Sequence, residues 1–393
     1  MADSTKSRSK SKPAKPHPEF PLYAHATGRW AKKVRGKAHY FGPWSDPQAA
    51  LQKWLDQKDD LLAGRTPRVI TDGLTVRELC NRFLTSKRLL LDNSELTART
   101  FRDYYDSCSR IVNQFSANRV VDDLAADDFE SFRSTLARTR GPVALGNEIQ
   151  RVRSVFKYAY DQALIDKPIR YGQGFKKPSR KVLRIARNGN GQRMFEAEEL
   201  RSIIDAANEP LRTMILLGIN AGFGQSDVGA LTVDAVDGDW LIFPRPKTGV
   251  ERRIPLWKET AAALSVAIES RKAHKDDADQ KILFITKYGR RWSRTTQSGA
   301  PVDAVGQEFT KLLRRLEIKR EKIGFYALRH TFATIAGESR DQVAVNAIMG
   351  HVDNSMAGAY RERISDSRLI AVTAVVRAWL FPEHNEHEDG GEE

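Results

Sequence analysis

The sequence predicts a mainly α protein with small β-sheets, organised as several domains. Three observations carry this. At 393 residues the chain exceeds one ordinary core. Helical apolar spacing runs from Leu74 to about Ile169 and resumes after Phe195. Short runs of alternating character occur near the N-terminus and around Lys247.

Residues 1–18 carry Lys6, Arg8, Lys10, Lys12 and Lys15 among Ser, Pro and Ala, the composition of a disordered basic arm. Such an arm either follows DNA phosphates or serves only to solubilise. Residues 20–66 then form a small β-β-β-α unit. The segments at Tyr23, Arg29–Val34 and Lys37–Gly42 read as three short strands joined at Thr27-Gly28 and Arg35-Gly36, and Asp46 caps a helix that ends at Gly64. Arg29, Lys32 and Lys33 alternate with aromatic residues, a pattern that suits either a groove-binding sheet face or a merely solvated one. Residues 74–170 form a helical domain with helices near 75–90, 95–115, 126–138 and 143–163, and a break at Gly141-Pro142. Its last helix sets Arg151, Arg153 and Lys157 against an apolar face of Val152, Val155 and Phe156. Residues 171–194, with Lys176, Lys177 and several glycines, read as a flexible basic linker. A third domain covers 195–381, and 382–393 is an acidic tail.

Charge narrows the partner. Lys plus Arg number 64 against 50 Asp plus Glu, a net charge of +14 that points to a polyanionic partner, nucleic acid rather than membrane. No apolar run approaches the roughly 20 residues that span a bilayer, and the N-terminus lacks a signal-peptide core, so no membrane association and a cytoplasmic, nucleoid-associated location are expected. Cys80 and Cys108 have no zinc-like spacing and read as reduced, partly buried thiols; no metal site is expected.

Four segments of the third domain carry the chemistry together. In the segment Trp240–Gly249 followed by Glu251–Leu256, two extended runs flank Lys247-Thr248-Gly249 and place Lys247 at a hairpin tip. A helix beginning near Phe325 carries Tyr326 and Arg329 at i, i+3 while Leu328 and Phe332 face the core. Asp341 starts a further helix that Gly350 ends, leaving His351 on a turn. Tyr360 follows nine residues later, which on one unbroken helix would place it about 180° from His351. The break at Asp353-Asn354-Ser355 removes that obstacle by letting a short helix fold back.

In this order, Lys247-Thr248-Gly249, Tyr326-Ala327-Leu328-Arg329-His330-Thr331, Met349-Gly350-His351 and Tyr360, the third domain resembles the tyrosine recombinases, or phage integrases. The upstream helices look like that family's core-binding (SAM-like) domain, and residues 20–66 like its arm-type DNA-binding domain. The resemblance implies a site-specific recombinase that cuts and rejoins DNA through a 3′-phosphotyrosyl link, without cofactor, metal or ATP, as a homotetramer on DNA assembled from monomers. It assigns Tyr360 as nucleophile, Lys247 as general acid, Arg329 as a bidentate phosphate ligand, and Tyr326 and His351 as hydrogen-bonding groups at the phosphate.

Two positions depart from the family pattern. Tyr326 replaces the usual histidine, and Gly224 stands where the first catalytic arginine belongs, in Ala221-Gly222-Phe223-Gly224-Gln225-Ser226-Asp227-Val228. Losing one charge-stabilising donor costs about 10²- to 10³-fold in rate. Two readings of Arg252 and Arg253 stay open: one of them reaches the space left at Gly224, or both face DNA phosphates or solvent. Two alternatives to an active recombinase also remain, namely a catalytically impaired DNA-binding relative and a type IB topoisomerase-like enzyme.

Overall fold

Side chains of Asp46, Thr75, Thr97, Asp303, Asp341 and Ser355 cap helix starts in the computed structural model, which describes residues 12–64, 73–189, 191–296 and 298–382. The expected basic arm therefore lies mostly outside the described residues, and the acidic tail almost wholly so. The chain divides into two units, residues 1–183 and 184–393, each considered by itself.

The first unit opens with an antiparallel sheet of order β1-β2-β3, formed by Tyr23–His25, Arg29–Val34 and Lys37–Pro43. Helix α1 (Pro47–Leu62) starts where the Asp46 carboxylate accepts from the Ala49 amide. It packs on the sheet through Ala50, Trp54 and Leu61 against Phe20, Leu22, Trp30, Val34 and Phe41. Close approach is needed at Gly42, where a Cβ would stand 3.3 Å from that of Ala50. Four helices follow: α2 (Val76–Asp92), α3 (Ala98–Phe115), α4 (Ala126–Ala137) and α5 (Pro142–Asp161), close to the ranges the periodicity predicts. Thr75 and Thr97 cap the first two and Pro142 begins the last. Their core is aromatic, with Phe83, Phe115, Phe129, Phe132 and Phe156 at its centre. Cys80 and Cys108 are free thiols buried in it, and its neighbour Cys80 together with burial pushes the Cys108 thiol well up from its ordinary value.

The expected linker over 171–194 is a correction. Phe175 is fully buried in the helical core, Tyr171 packs against it, and Arg180–Asn188 form helix α6. Two aromatics among glycines and lysines suffice to fasten the segment, because a buried ring removes far more apolar surface than its charged neighbours expose.

The second unit is built round helix α8 (Leu211–Asn220), every residue of which except Arg212 is buried. Around it lie α7 (Ala197–Ala206), α9 (Gln225–Ala230), α10 (Lys258–Glu269), α11 (Ala304–Arg315), α12 (Ala327–Ala336), α13 (Gln342–Ile348), α14 (Met356–Ala359) and α15 (Asp366–Leu380). A second antiparallel sheet has the order β4-β5-β6 (Val236–Asp237, Trp240–Ile242, Arg253–Pro255), and β7 (Ser293–Thr295) pairs with β8 (Pro301–Asp303). Helix α12 lies tightly on α8. A Cβ on Gly218 would stand 2.6 Å from Leu328 Cδ1, so only glycine permits this approach. The Asn220 amide joins α8 to the second sheet, donating to the Pro255 carbonyl and accepting from the Trp257 amide. Among the described residues no helix is long and apolar enough to cross a membrane.

Candidate active site

The site grows from the N-terminal end of α12. Packing Leu328 and Phe332 into the core turns Arg329 inward as well, and it is only 3 % exposed. Its guanidinium crosses between two backbone segments: Nη1 donates to the Gly222 carbonyl at 2.5 Å, and Nη2 donates to the Met349 carbonyl at 2.8 Å. Gly222 takes a left-handed φ of +62°, which aims its carbonyl at this arginine, and a Cβ there would stand 2.9 Å from Phe332.

Arg329 also fixes His351. Asp341 caps α13, and Gly350 ends that helical run with φ +63°, so His351 leaves on a turn as expected. Arg329 Nη2 lies 3.0 Å from His351 Nε2, and His351 Nδ1 lies 3.2 Å from Asn346 Oδ1. A guanidinium can only donate, so Nε2 must be the accepting nitrogen and Nδ1 carries the proton toward Asn346. The imidazole is thus neutral. Burial, then Arg329 and Arg245, hold its pKa below the ordinary value, consistent with that tautomer. Asn346 was missed in the sequence; a polar residue one turn before a Gly-His pair is its only mark there.

The expected hairpin is present and docks on the same turn. Strands β5 and β6 pair Ile242 with Arg253, and beyond them the Arg245 amide donates to the Val250 carbonyl. The Thr248 hydroxyl (3.1 Å) and Arg245 Nη1 (3.2 Å) both donate to the Gly350 carbonyl. Lys247, between them in sequence, is exposed, and its ammonium forms no ion pair among the described residues. Arg245 and Thr248 were not singled out beforehand.

Tyr326 caps α12 and is 46 % exposed, with its ring beside Arg329 and stacked edge-on to His330. It also covers Gly224: a Cβ at position 224 would lie 3.2 Å from the tyrosine ring. The two departures from the family pattern are therefore neighbours in space.

Tyr360 stands apart from this set. Ser355 caps α14, so the helix break is where the sequence places it, but Tyr360 is 79 % exposed and its hydroxyl has no hydrogen-bond partner among the described residues. The structure brings Arg329, His351, Tyr326 and the Lys247 hairpin together and leaves the phenol free on the segment that follows.

The two arginines at β6 diverge. Arg253 turns outward, making a bidentate pair with Asp366 (2.9 Å for both bonds) and stacking over Trp240, so it does not reach Gly224. Arg252 turns inward and is 1 % exposed, which corrects its expected role as a DNA contact. Phe223 and Phe243 cover its guanidinium, Nη2 donates to Asp227 Oδ1 at 3.0 Å, and Asp227 Oδ2 accepts the Gly224 amide at 2.9 Å. Burial pushes the Arg252 pKa down to about 10 against the opposing pull of Asp227, with Arg329 and Arg245 adding repulsion.

Of the other expected DNA-facing cations, Arg29, Lys33, Lys176 and Lys177 are exposed and form no ion pair among the described residues. The rest have internal partners. Arg151 pairs with Asp103 and Glu148, Arg153 donates to the Phe175 carbonyl over the Tyr171 ring, and Lys157 pairs with Asp161. Lys32 places its ammonium over Trp54 of α1, on the opposite side of the sheet from Lys33, because side chains alternate along a strand.

Residues 193–365 match the Phage integrase family. Among curated proteins none matches the chain. Three solved structures are similar in fold. A lambda integrase tetramer bound to a Holliday junction gives a TM-score of 0.55 at 15 % identity, covering 89 % of this chain and 98 % of that one. A lambda integrase dimer bound to a COC′ core site gives 0.54 at 15 %, covering 90 % and 98 %. The Tn1549 transposon integrase in complex with circular intermediate DNA gives 0.51 at 18 %, covering 76 % and 99 %. The match to the Phage integrase family, over residues 193–365, spans every residue that the fold gathers round this turn.

Proposed function

We propose that the protein is a site-specific DNA recombinase that cuts and rejoins DNA through a 3′-phosphotyrosyl intermediate, acting in the integration of a mobile element. The observation that carries this reading is the convergence of Arg329, neutral His351 and the Lys247 hairpin on the Met349-Gly350-His351 turn, with an unhindered phenol nine residues on. Tyr360 Oη forms a bond to phosphorus and the P–O5′ bond breaks. The phenol gives its proton to water, and the departing 5′-oxygen takes one from Lys247, the acid. Neither oxidation nor loss of bond energy accompanies the exchange, so another 5′-hydroxyl can reverse it. Arg329 and Tyr326 donate to the nonbridging oxygens. Double-stranded DNA is the partner and a homotetramer the synaptic assembly, as the lambda integrase tetramer on a Holliday junction suggests. A cytoplasmic, nucleoid-associated location fits that partner.

The test is covalent trapping. Duplexes with a nick and a randomised surrounding sequence are incubated with the protein, and DNA that stays attached on a denaturing gel is recovered and sequenced. Wild type should yield an adduct that Tyr360→Phe lacks; binding without any adduct would favour a DNA-binding relative that has lost the chemistry.

A further inference from the structure

Three arginine side chains meet at the Met349-Gly350-His351 turn. Arg329 donates to Met349, Arg245 donates to Gly350, and the stem of Arg252 lies against Gly350, where a Cβ would stand 2.9 Å from its Cδ and from that of Arg245. Of the three, Arg252 is the one that hydrogen-bonds a carboxylate, that of Asp227. Like charges held this close in a half-dry site repel unless an anion joins them. A phosphodiester, whose negative charge grows in the transition state, is such an anion.

We propose that Arg245 is a direct ligand of the scissile phosphate, supplying the second guanidinium that position 224 lacks, with the buried Arg252–Asp227 pair holding its surroundings in place. This rests on the strand-transfer reading above. Arg329 cannot neutralise the phosphate by itself, since three of its five N–H donors already bond two carbonyls and His351. Arg245 is half-buried and makes a single side-chain bond, so most of its five donors are available at the rim of the same turn. A side chain at position 224 would press on the Tyr326 ring, 3.2 Å from its Cβ. Arg252 is sealed between two phenylalanines and cannot meet a phosphate at the surface, and Arg253 is held by Asp366. The hairpin that carries Lys247 therefore brings a second cation, two residues earlier, to a site that glycine leaves one charge short.

The experiment uses the full chain and a duplex selected by wild type in the trapping assay, made once with an ordinary phosphodiester at the nick-proximal cleavage position and once with a methylphosphonate there. The methyl group removes the charge while leaving the bonds that form and break. Arg245→Ala should keep DNA affinity and melting behaviour, because the Thr248 hydroxyl still satisfies Gly350. Its adduct should form about 10²- to 10³-fold more slowly on the phosphodiester, the cost of one lost charge-stabilising donor, and the gap to wild type should close to about tenfold or less on the neutral linkage. Arg245→Lys, which keeps charge but not the fork, should fall between. A loss below about threefold, or a gap of equal size on both linkages, overturns the assignment of Arg245 to the phosphate. Absence of any wild-type adduct overturns the strand-transfer reading itself and this inference with it.

Discussion

Two consecutive segments of the second unit are held in opposite ways. The Met349–His351 turn is gripped from three sides, by Arg329 of α12, by Arg245 and Thr248 of the hairpin, and by Asn346 of α13. Among the described residues, the side-chain bonds of the Asp353–Tyr360 segment come from within it and from the adjoining Arg361. The Asp353 carboxylate accepts from the Ser355 hydroxyl and amide and from Arg361, contacts that lower its pKa to about 2, and no residue of α14 is buried. On the proposed reading, the charge-stabilising half of the site is preorganised, as electrostatic catalysis requires, while the proposed nucleophile Tyr360 rides on an arm whose position costs little to change.

The largest contrast to expect is between Arg329→Ala and Tyr360→Phe. Both should abolish the covalent adduct, but only the first should unfold more easily. Removing Arg329 strands the Gly222 and Met349 carbonyls in a buried site, a loss of order 1–3 kcal/mol for an unsatisfied buried group. The exposed phenol makes no hydrogen bond to lose, so Tyr360→Phe should melt with wild type. Equal melting of the two variants would break the comparison.

Asn346→Ala sharpens it at the next scale. Without Oδ1 the Nδ1 proton of His351 loses its acceptor and the ring its orientation, while the backbone bond from the His351 amide to the Asn346 carbonyl survives. Adduct formation should slow by about tenfold, less than the loss of a direct phosphate ligand, since a second contact still orients the ring. A rate unchanged from wild type would show that His351 does not need this partner.

How much of this was legible beforehand follows from how local each cause is. Thr97, Asp341 and Ser355 mark helix starts through their own hydroxyl or carboxylate, and the Lys247 hairpin is written in its flanking strands. Lys247, Arg329, His351 and Tyr360 could be proposed together from the sequence because their order along the chain resembles a family signature. The burial of Arg252 was not legible, for the opposite reason. Its burial depends on Asp227, 25 residues away, and on two phenylalanine faces that only the tertiary fold brings over it. Arg245, between two prolines, carried no periodicity to single it out. Arg151 and Arg153 looked like a basic surface, yet Asp103, Glu148 and the Phe175 carbonyl claim them.

A finer test follows the charge at the turn through His351. Burial and the two arginines keep its proton affinity low, so protonation favours the unfolded chain. The stability tied to this group is present above its unfolded pKa of about 6.5 and is lost as pH falls through the folded value. In Arg245→Ala one of the two cations is gone, and the titration midpoint of the His351 ring should move up toward about 6.5. Ring-proton NMR, with the signal assigned by its absence in His351→Gln, reads this directly. A midpoint that stays put or moves down would mean that Arg245 does not set the field at the turn.

The smallest effect lies in the first unit. Lys33 and Arg29 are exposed on the side of the β1-β2-β3 sheet opposite α1, whereas Lys32 lies over Trp54. If the outer side meets a DNA backbone, Lys33→Ala should reduce the slope of log affinity against log salt by about 0.9, the release of one condensed counterion. Lys32→Ala should leave the slope unchanged and instead weaken the packing on Trp54, by about 0.5–1 kcal/mol for a cation at an exposed ring. Measured by fluorescence anisotropy across a salt series, equal slopes for Lys33→Ala and wild type would remove the sheet from the DNA interface and leave binding to the exposed lysines at 176 and 177 and to the second unit.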